Sequence, residues 1–115
     1  MRLETMLQSS RIEAMKAQGH WRGHILPDYL DRCVAEVPDK TALVDFNSMT
    51  GKSSRWTYRD FAATIDRMAV GLAETGVEKG DIVSCQLPNW WQFTALAFAC
   101  GRIGAVINPM MPIFR

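Results

Sequence analysis

GDIVSCQLPNWWQFTALAFACGRIGAVINP, residues 80–109, holds two buried-strand patterns on either side of an unusually apolar helical run. Residues 81–87 read as a strand, and Pro88-Asn89 stops it and caps a helix. That helix runs from about Trp90 to Ile103, Gly104 ends it, and residues 105–109 read as the next strand. Strand, helix and strand with such short joints make a βαβ unit, whose two strands must be parallel. The helix has no polar face. At about 100° per residue, Trp91 and Phe98 project to one side, and Phe93, Leu96 and Ile103 project almost opposite. A helix apolar all round needs cover on both sides. Trp91 and Phe98 together would expose roughly 300–500 Å². At about 25 cal/mol per Å², leaving half of that wet forgoes several kcal/mol, against a typical total stability of roughly 5–15 kcal/mol. The chain is therefore expected to be part of a larger α/β protein, cut open.

Bulk properties narrow the classes. The 115 residues have room for one small domain at most. A hydrophobic share of 48% and a charged share of 22% are those of an ordinary globular fold. A formal net charge of +1 supplies no broad field for steering nucleic acid or anionic membranes. No run approaches the roughly 18 uncharged apolar residues of a membrane span. The opening Met1-Arg-Leu-Glu-Thr-Met6 carries charge too early for a secretory signal. Cys33, Cys85 and Cys100 are odd in number, widely spaced and set among apolar residues. They read as small buried hydrophobes in a reducing compartment, which points to the cytoplasm.

Working outward, residues 1–18 favour helix, with two weak apolar stripes: Leu3, Leu7 and Ala14, and Ile12 with Met15. This segment is read as an N-terminal arm docked on its own domain, or alternatively as a partner helix. Residues 19–24 form a loop because Gly19 and Gly23 oppose helix. Its His20 and His24 have the i,i+4 spacing of a helical metal pair. The loop offers no helix to present them and no Cys, Asp or Glu to complete a shell. A short packing helix lies between Pro27 and Pro38, with Leu30, Cys33, Val34 and Val37 on its apolar face. Residues 41–46 and 55–58 are expected to pair as a hairpin across a flexible turn at 47–54. Thr57 and Asp60 resemble a capping box opening the next helix. Phe61, Ile65, Met68 and Leu72 mark its buried face, and Gly76 is placed for a left-handed cap with Val77 returning to the core. No internal repeat or linker is present.

The chemistry is sparse. Gly76 and Gly80 bracket a turn before a strand, whereas a phosphate loop follows a strand and opens a helix. Gly101 and Gly104 fit tight packing and capping at a helix end. Both histidines share one loop, so no catalytic triad is legible. Asp28 and Asp31 fall on a solvated helix side. Trp56, Trp90 and Trp91 lack interleaved basic residues, so nucleic acid is not an expected partner. In open parallel sheets, ligands settle outside the carboxyl ends of the strands. Here those ends are Pro88-Asn89 and the Pro- and Met-rich run at 109–115, which suits an apolar ligand wall or simple packing.

Taken in order, several motifs resemble the N-terminal part of the adenylate-forming synthetases, the AMP-forming acyl-CoA ligases and their relatives. They are Trp56-Thr-Tyr-Arg-Asp-Phe61 opening a helix, Gly76-Val-Glu-Lys-Gly-Asp-Ile-Val83, Leu87-Pro-Asn89, and the run from Gly101 to Pro109. Trp21-Arg-Gly-His24, Asp28-Tyr-Leu30 and the run from Asn108 to Arg115 resemble the cyclohexanecarboxylate and short- to medium-chain acyl-CoA ligases, enzymes of fatty acid metabolism. The resemblance implies an N-terminal subdomain of a larger α/β fold: a helical arm at 1–19, then an incomplete subdomain at 20–115 carrying a hairpin and a partial parallel sheet. It implies that carboxylate and ATP give an acyl-adenylate and pyrophosphate, after which the CoA thiolate displaces AMP. The parent enzyme would use ATP, Mg and CoA. The Ser/Thr/Gly-rich loop ending in Pro-Lys-Gly and the Tyr-Gly-x-Thr-Glu motif are absent from residues 1–115, and Lys52 and Lys79 match no family lysine. No catalytic, cofactor-binding or metal-binding residue is therefore carried over, and no cofactor is expected on this piece, which should be inactive alone. Its expected partners are the remainder of the same enzyme and a second copy, through the open sheet edge or the Trp91/Phe98 face. The rival expectation is a stand-alone binding module that recruits a partner through its first helix and open sheet edge.

Overall fold

The computed structural model describes residues 7–113. In order, its elements are α1 (Ser9–Ala17), α2 (Leu26–Glu36), β1 (Thr41–Asn47), β2 (Lys52–Thr57), α3 (Tyr58–Glu74), β3 (Ile82–Cys85), α4 (Trp91–Ile103) and β4 (Val106–Pro109). Strands β1 and β2 form an antiparallel hairpin from Thr41↔Thr57 to Asn47↔Lys52. Strands β3 and β4 are parallel, from Ile82↔Val106 to Cys85↔Pro109, with α4 as their crossover. The α/β class, the hairpin and the βαβ unit are as the sequence predicts.

Helix α3 forms because its apolar residues repeat at helical spacing and both ends are punctuated. At the start, the Thr57 hydroxyl oxygen accepts the Asp60 amide at 3.1 Å and its hydroxyl donates to the Asp60 carboxylate at 2.8 Å. At the end, Gly76 takes φ 92°, where the Val77 amide reaches the Leu72 carbonyl and the Gly76 amide reaches Ala73. Helix α4 closes in the same way at Gly104, φ 76°, with Ala105 bonded back to Cys100. These are paired carbonyl-capping bonds around a left-handed residue, a conformation that glycine adopts without strain.

The core lies between α2, α3, α4 and the hairpin. Leu30, Phe61, Ile65, Ala69, Ala95 and Ala99 are buried, and Trp56, Met68, Leu72, Trp91, Phe98 and Ile103 pack around them. Sequence reasoning left the Trp91/Phe98 face bare, but here it is half-buried against the core. The hairpin folds over it, setting the Trp56 ring 4.7 Å from Trp91 and 6.0 Å from Phe61. The opposite side of α4 carries Phe93, Leu96 and fully buried Cys100, and α4 also packs on β4. A helix apolar all round thus becomes the middle layer, flanked by α3 with the hairpin and by the small parallel sheet.

Several boundaries move. Residues 1–6, the start of the expected arm, lie outside the described residues, and α1 has no buried residue. Strand β2 begins at Lys52, which shortens the turn to four residues. Asn47 organises that turn by accepting the amides of Met49 and Thr50 at 2.9 and 3.2 Å. Strand β3 is four residues long, shorter than the 81–87 run. Asn89 does not cap α4: the N-cap is Trp90, without a side-chain cap. Asp28 instead closes α2, accepting the Ile25 amide at 2.8 Å, and isoleucine cannot return the bond. Asp31 is no idle surface carboxylate either. It forms a two-pronged ion pair with Arg102, whose Nε also reaches Asp66 at 3.1 Å, tying α2, α3 and α4 together. Val37, read into the apolar face of α2, is exposed.

The chain exposes 8589 Å², where a compact monomer of its mass exposes about 6,300 Å². Its radius of gyration is 16.5 Å, against about 13 Å for a compact domain of this length. The exposed surface includes two apolar faces: Val44 and Phe46 outside the hairpin, and Ile82 beside Val106 outside the parallel pair. No helix among the described residues is long and apolar enough to cross a membrane.

Two glycine substitutions separate packing from propensity. A Cβ at Gly101 would stand 3.0 Å from Pro27 Cγ, whereas one at Gly71 meets nothing within 4 Å. Gly101→Val should destabilise by about 1–3 kcal/mol in urea unfolding, and Gly71→Ala should stabilise by about 0.5–1 kcal/mol. Arg102→Met should cost about 1 kcal/mol at pH 7. The salt-linked hydrogen bond from Arg102 holds the Asp31 carboxyl below its ordinary 3.8. This stabilisation is present above that ordinary value and fades as pH falls through the lower folded value. The mutant penalty should therefore shrink in acid titrations below about pH 4.

Candidate functional site

The carboxyl ends of β3 and β4 open into a cleft of about 360 Å³ lined by Leu87, Asn89, Phe93, Pro109, Met110, Met111 and Pro112. This is where a parallel sheet presents ligands. Asn89 from the first exit singled out in the sequence and Pro109–Pro112 from the second line it, while residues 114–115 of the second lie outside the described residues. Local bonds build it. The Met110 amide donates to the Cys85 carbonyl at 2.8 Å, extending the ladder past the last strand residue. Gln86 Nε2 reaches the Met111 carbonyl at 3.1 Å, and Asn108 Nδ2 donates to Ser84 Oγ at 3.0 Å. Two chain ends that would otherwise splay are held side by side. Sequence reasoning did not place Phe93 here. Its position two residues into α4, just beyond the Pro88 turn, is the signal that would have found it.

Chemically, the cleft is a wall. None of its described lining residues is Lys, Arg, His, Cys, Asp or Glu. It supplies apolar surface and one amide, Asn89, but no general acid, base or nucleophile. Phosphates need cations or clustered amides, and Mg²⁺ needs carboxylate oxygens. The lining offers neither cation nor carboxylate, so ATP and Mg do not fit this cleft on the described residues alone.

A second, open concavity of about 500 Å³ lies after α1, among Lys16, His20, Trp21, Arg22, Gly23, His24 and Tyr29. It brings His20 and His24 to one surface, yet each histidine has a different setting. His24 meets Tyr29 edge-on at 5.9 Å and lies 3.7 Å from Asp28. No group of three or more His, Cys, Asp or Glu that could hold a metal occurs among the described residues. This concavity is larger but is formed mostly by the exposed loop between α1 and α2. The strand-end cleft is the better candidate because the backbone ladder fixes its walls.

The remaining perturbed groups are structural. Burial pushes the Cys100 thiol up, with Cys85 nearby adding to it. The hydrogen bond to Cys33 raises the Tyr58 hydroxyl.

Comparison with known proteins follows the same lines. The AMP-binding enzyme family matches residues 30–115. The medium-chain fatty-acid–CoA ligase of Escherichia coli is 35% identical over 115 residues, all of this chain and 19% of that protein. A Streptomyces salicylyl-CoA synthase / salicylate adenylyltransferase is 36% identical over 97 residues, 84% of this chain and 16% of that protein. Among solved structures, the apo form of Mycobacterium smegmatis MbtA superposes with a TM-score of 0.80 at 34% identity, covering 96% of this chain and 20% of that one. The chain thus spans less than a fifth of the length of these two curated relatives.

Thiol accessibility checks the placement of the core. Cys33 is half-buried and Cys100 is fully buried with its thiol pushed up. Iodoacetamide labelling followed by mass spectrometry should modify Cys33 at least tenfold faster than Cys100, because the thiolate is the reacting species.

Proposed function

Because the chain belongs to the AMP-binding enzyme family, we propose that it is the N-terminal scaffold segment of an AMP-forming acid–thiol ligase. The parent would convert a carboxylate, ATP and CoA to acyl-CoA, AMP and pyrophosphate in the cytoplasm. Residues 1–19 would serve as an arm, and residues 20–115 as the opening part of the large domain. The observation that carries this reading is the strand-end cleft: it lies where ligands settle, yet its described walls hold no titratable group. Such a segment positions and shields, while phosphate and metal chemistry belongs to other segments of the parent. The excess exposed surface and the two bare apolar faces support a partner layer from that same polypeptide.

A medium-chain aliphatic acid is the first reading of the substrate, matching the apolar cleft and the chain-long similarity to a fatty-acid ligase. An aryl acid is the second, favoured by the salicylate-activating relative.

Titration calorimetry on the 115-residue chain should show no saturable micromolar heat with ATP or with CoA; such a heat would refute the scaffold reading. For the parent, acid-dependent ATP–pyrophosphate exchange across aliphatic and aryl acids should separate the two substrate readings. Exchange with neither class would remove the ligase assignment.

A further inference from the structure

The loop between α1 and α2 carries charged groups that the scaffold reading leaves unused, and both of its ends are tied down. At the α1 end, the His20 and Trp21 amides donate to the Met15 carbonyl at 3.0 and 3.3 Å, and the Gly19 amide donates to the Lys16 carbonyl at 3.0 Å. At the α2 end, Asp28 accepts the Ile25 amide at 2.8 Å and lies 3.7 Å from His24, whose ring meets Tyr29 edge-on. Between these ties, Lys16, His20, Arg22 and His24 line one open concavity of about 500 Å³ together with Trp21 and Tyr29, and no carboxylate lines it. An adjoining concavity of about 250 Å³ shares Arg22, His24 and Tyr29 and adds Arg32 and Asp28. These charges differ from those on the helix surfaces. Arg32, Arg59 and Arg102 each pair with a carboxylate of this chain. Among the described residues, no carboxylate lies within ion-pair reach of Lys16 or Arg22. Like charges gathered on one concave wall repel one another and focus a positive field into it.

We infer that this concavity binds a phosphoryl group, held by Arg22 and Lys16 with His20 and His24 as further donors. The donor inventory selects the ligand. Arginine and lysine only donate, in a planar fork and from a three-proton head, and each imidazole adds at least one N–H. Four donor side chains outnumber the two oxygens of a carboxylate, whereas a phosphoryl group presents three strong acceptor oxygens. Arginine's fork matches that geometry, and lysine supplies a point charge beside it. A cationic ligand is excluded by like charge. Exposed Trp21 and Tyr29 offer apolar ground to whatever the phosphoryl group is attached to. Charges on an open loop are screened by solvent and salt, so the affinity falls in the millimolar range. That separates this site from the micromolar binding of ATP or CoA which the scaffold reading excludes, and the inference stands or falls independently of that reading.

The test is a nuclear magnetic resonance titration of the ¹⁵N-labelled full chain with inorganic phosphate, against sodium chloride at equal ionic strength. Phosphate should give saturating shifts confined to residues 16–29, including the Trp21 indole N–H, whose signal is assigned with Trp21→Phe. The double variant Lys16→Gln with Arg22→Gln should weaken binding roughly fivefold or more. Its spectrum outside the loop should match that of the parent chain, because both side chains are exposed. A second arm uses phosphatidylglycerol vesicles, with phosphatidylcholine vesicles as control. Shifts with free phosphate identify soluble phosphoryl compounds as the source. Co-sedimentation with phosphatidylglycerol vesicles alone, lost in the double variant, identifies a lipid headgroup. Three results would overturn the inference: no response in either arm, equal shifts with chloride, or binding that survives undiminished in the double variant.

Discussion

Everything in this chain depends on how closely α3 and α4 approach. Ile65, Ala95 and Ala99 are all fully buried at that contact. Two alanines on α4 leave space for the isoleucine from α3, and interiors packed at crystal-like density respond to even a single lost methylene. Ile65→Ala would leave a cavity of the kind that costs about 2–5 kcal/mol, in a chain with few fully buried residues to compensate. Gly101, two residues further along α4, follows the same logic, because its missing side chain lets Pro27 of α2 close on α4. Small residues on α4 therefore set the geometry, and larger residues from its neighbours fill it.

Polar ties lock this packing at its rim. Arg102 joins Asp31 and Asp66 across three helices, and Asp45 holds the start of α4 from the hairpin. Ion pairs this exposed contribute little individually; their effect is directional, fixing the rotation of α4 about its own axis. That rotation directs Trp91 and Phe98 toward the hairpin and leaves Phe93 at the ends of β3 and β4. The candidate cleft is thus a consequence of core packing, with the Cys85–Met110 backbone bond as its last constraint.

Much of the fold was legible because its signals are local. The periodicity of Phe61, Ile65, Met68 and Leu72 marked α3, the glycines at 76 and 104 marked two helix ends, and the spacing of two apolar runs gave the parallel pair. The position of the cleft followed from that pairing. What escaped sequence reasoning was long-range. Asp45 is 46 residues from the amide it caps, and Arg102 is 71 residues from Asp31; no period announces such partners. The cover over Trp91 was missed for the same reason, since the hairpin's path across α4 depends on Trp56 meeting Trp91, and Phe61 of α3, in three dimensions. The chemistry of the cleft was not legible beyond its apolar wall, because its lining comes from two exits far apart in sequence and from Phe93 on α4.

The central claim, that this chain is a ligase scaffold whose reactive groups lie on other segments, is tested most directly by sequencing its native reading frame past Arg115. The account predicts continuation into a Ser/Thr/Gly-rich loop ending in Pro-Lys-Gly. A stop codon at that point would contradict it, and would leave a ligase-like scaffold that exists without ligase chemistry.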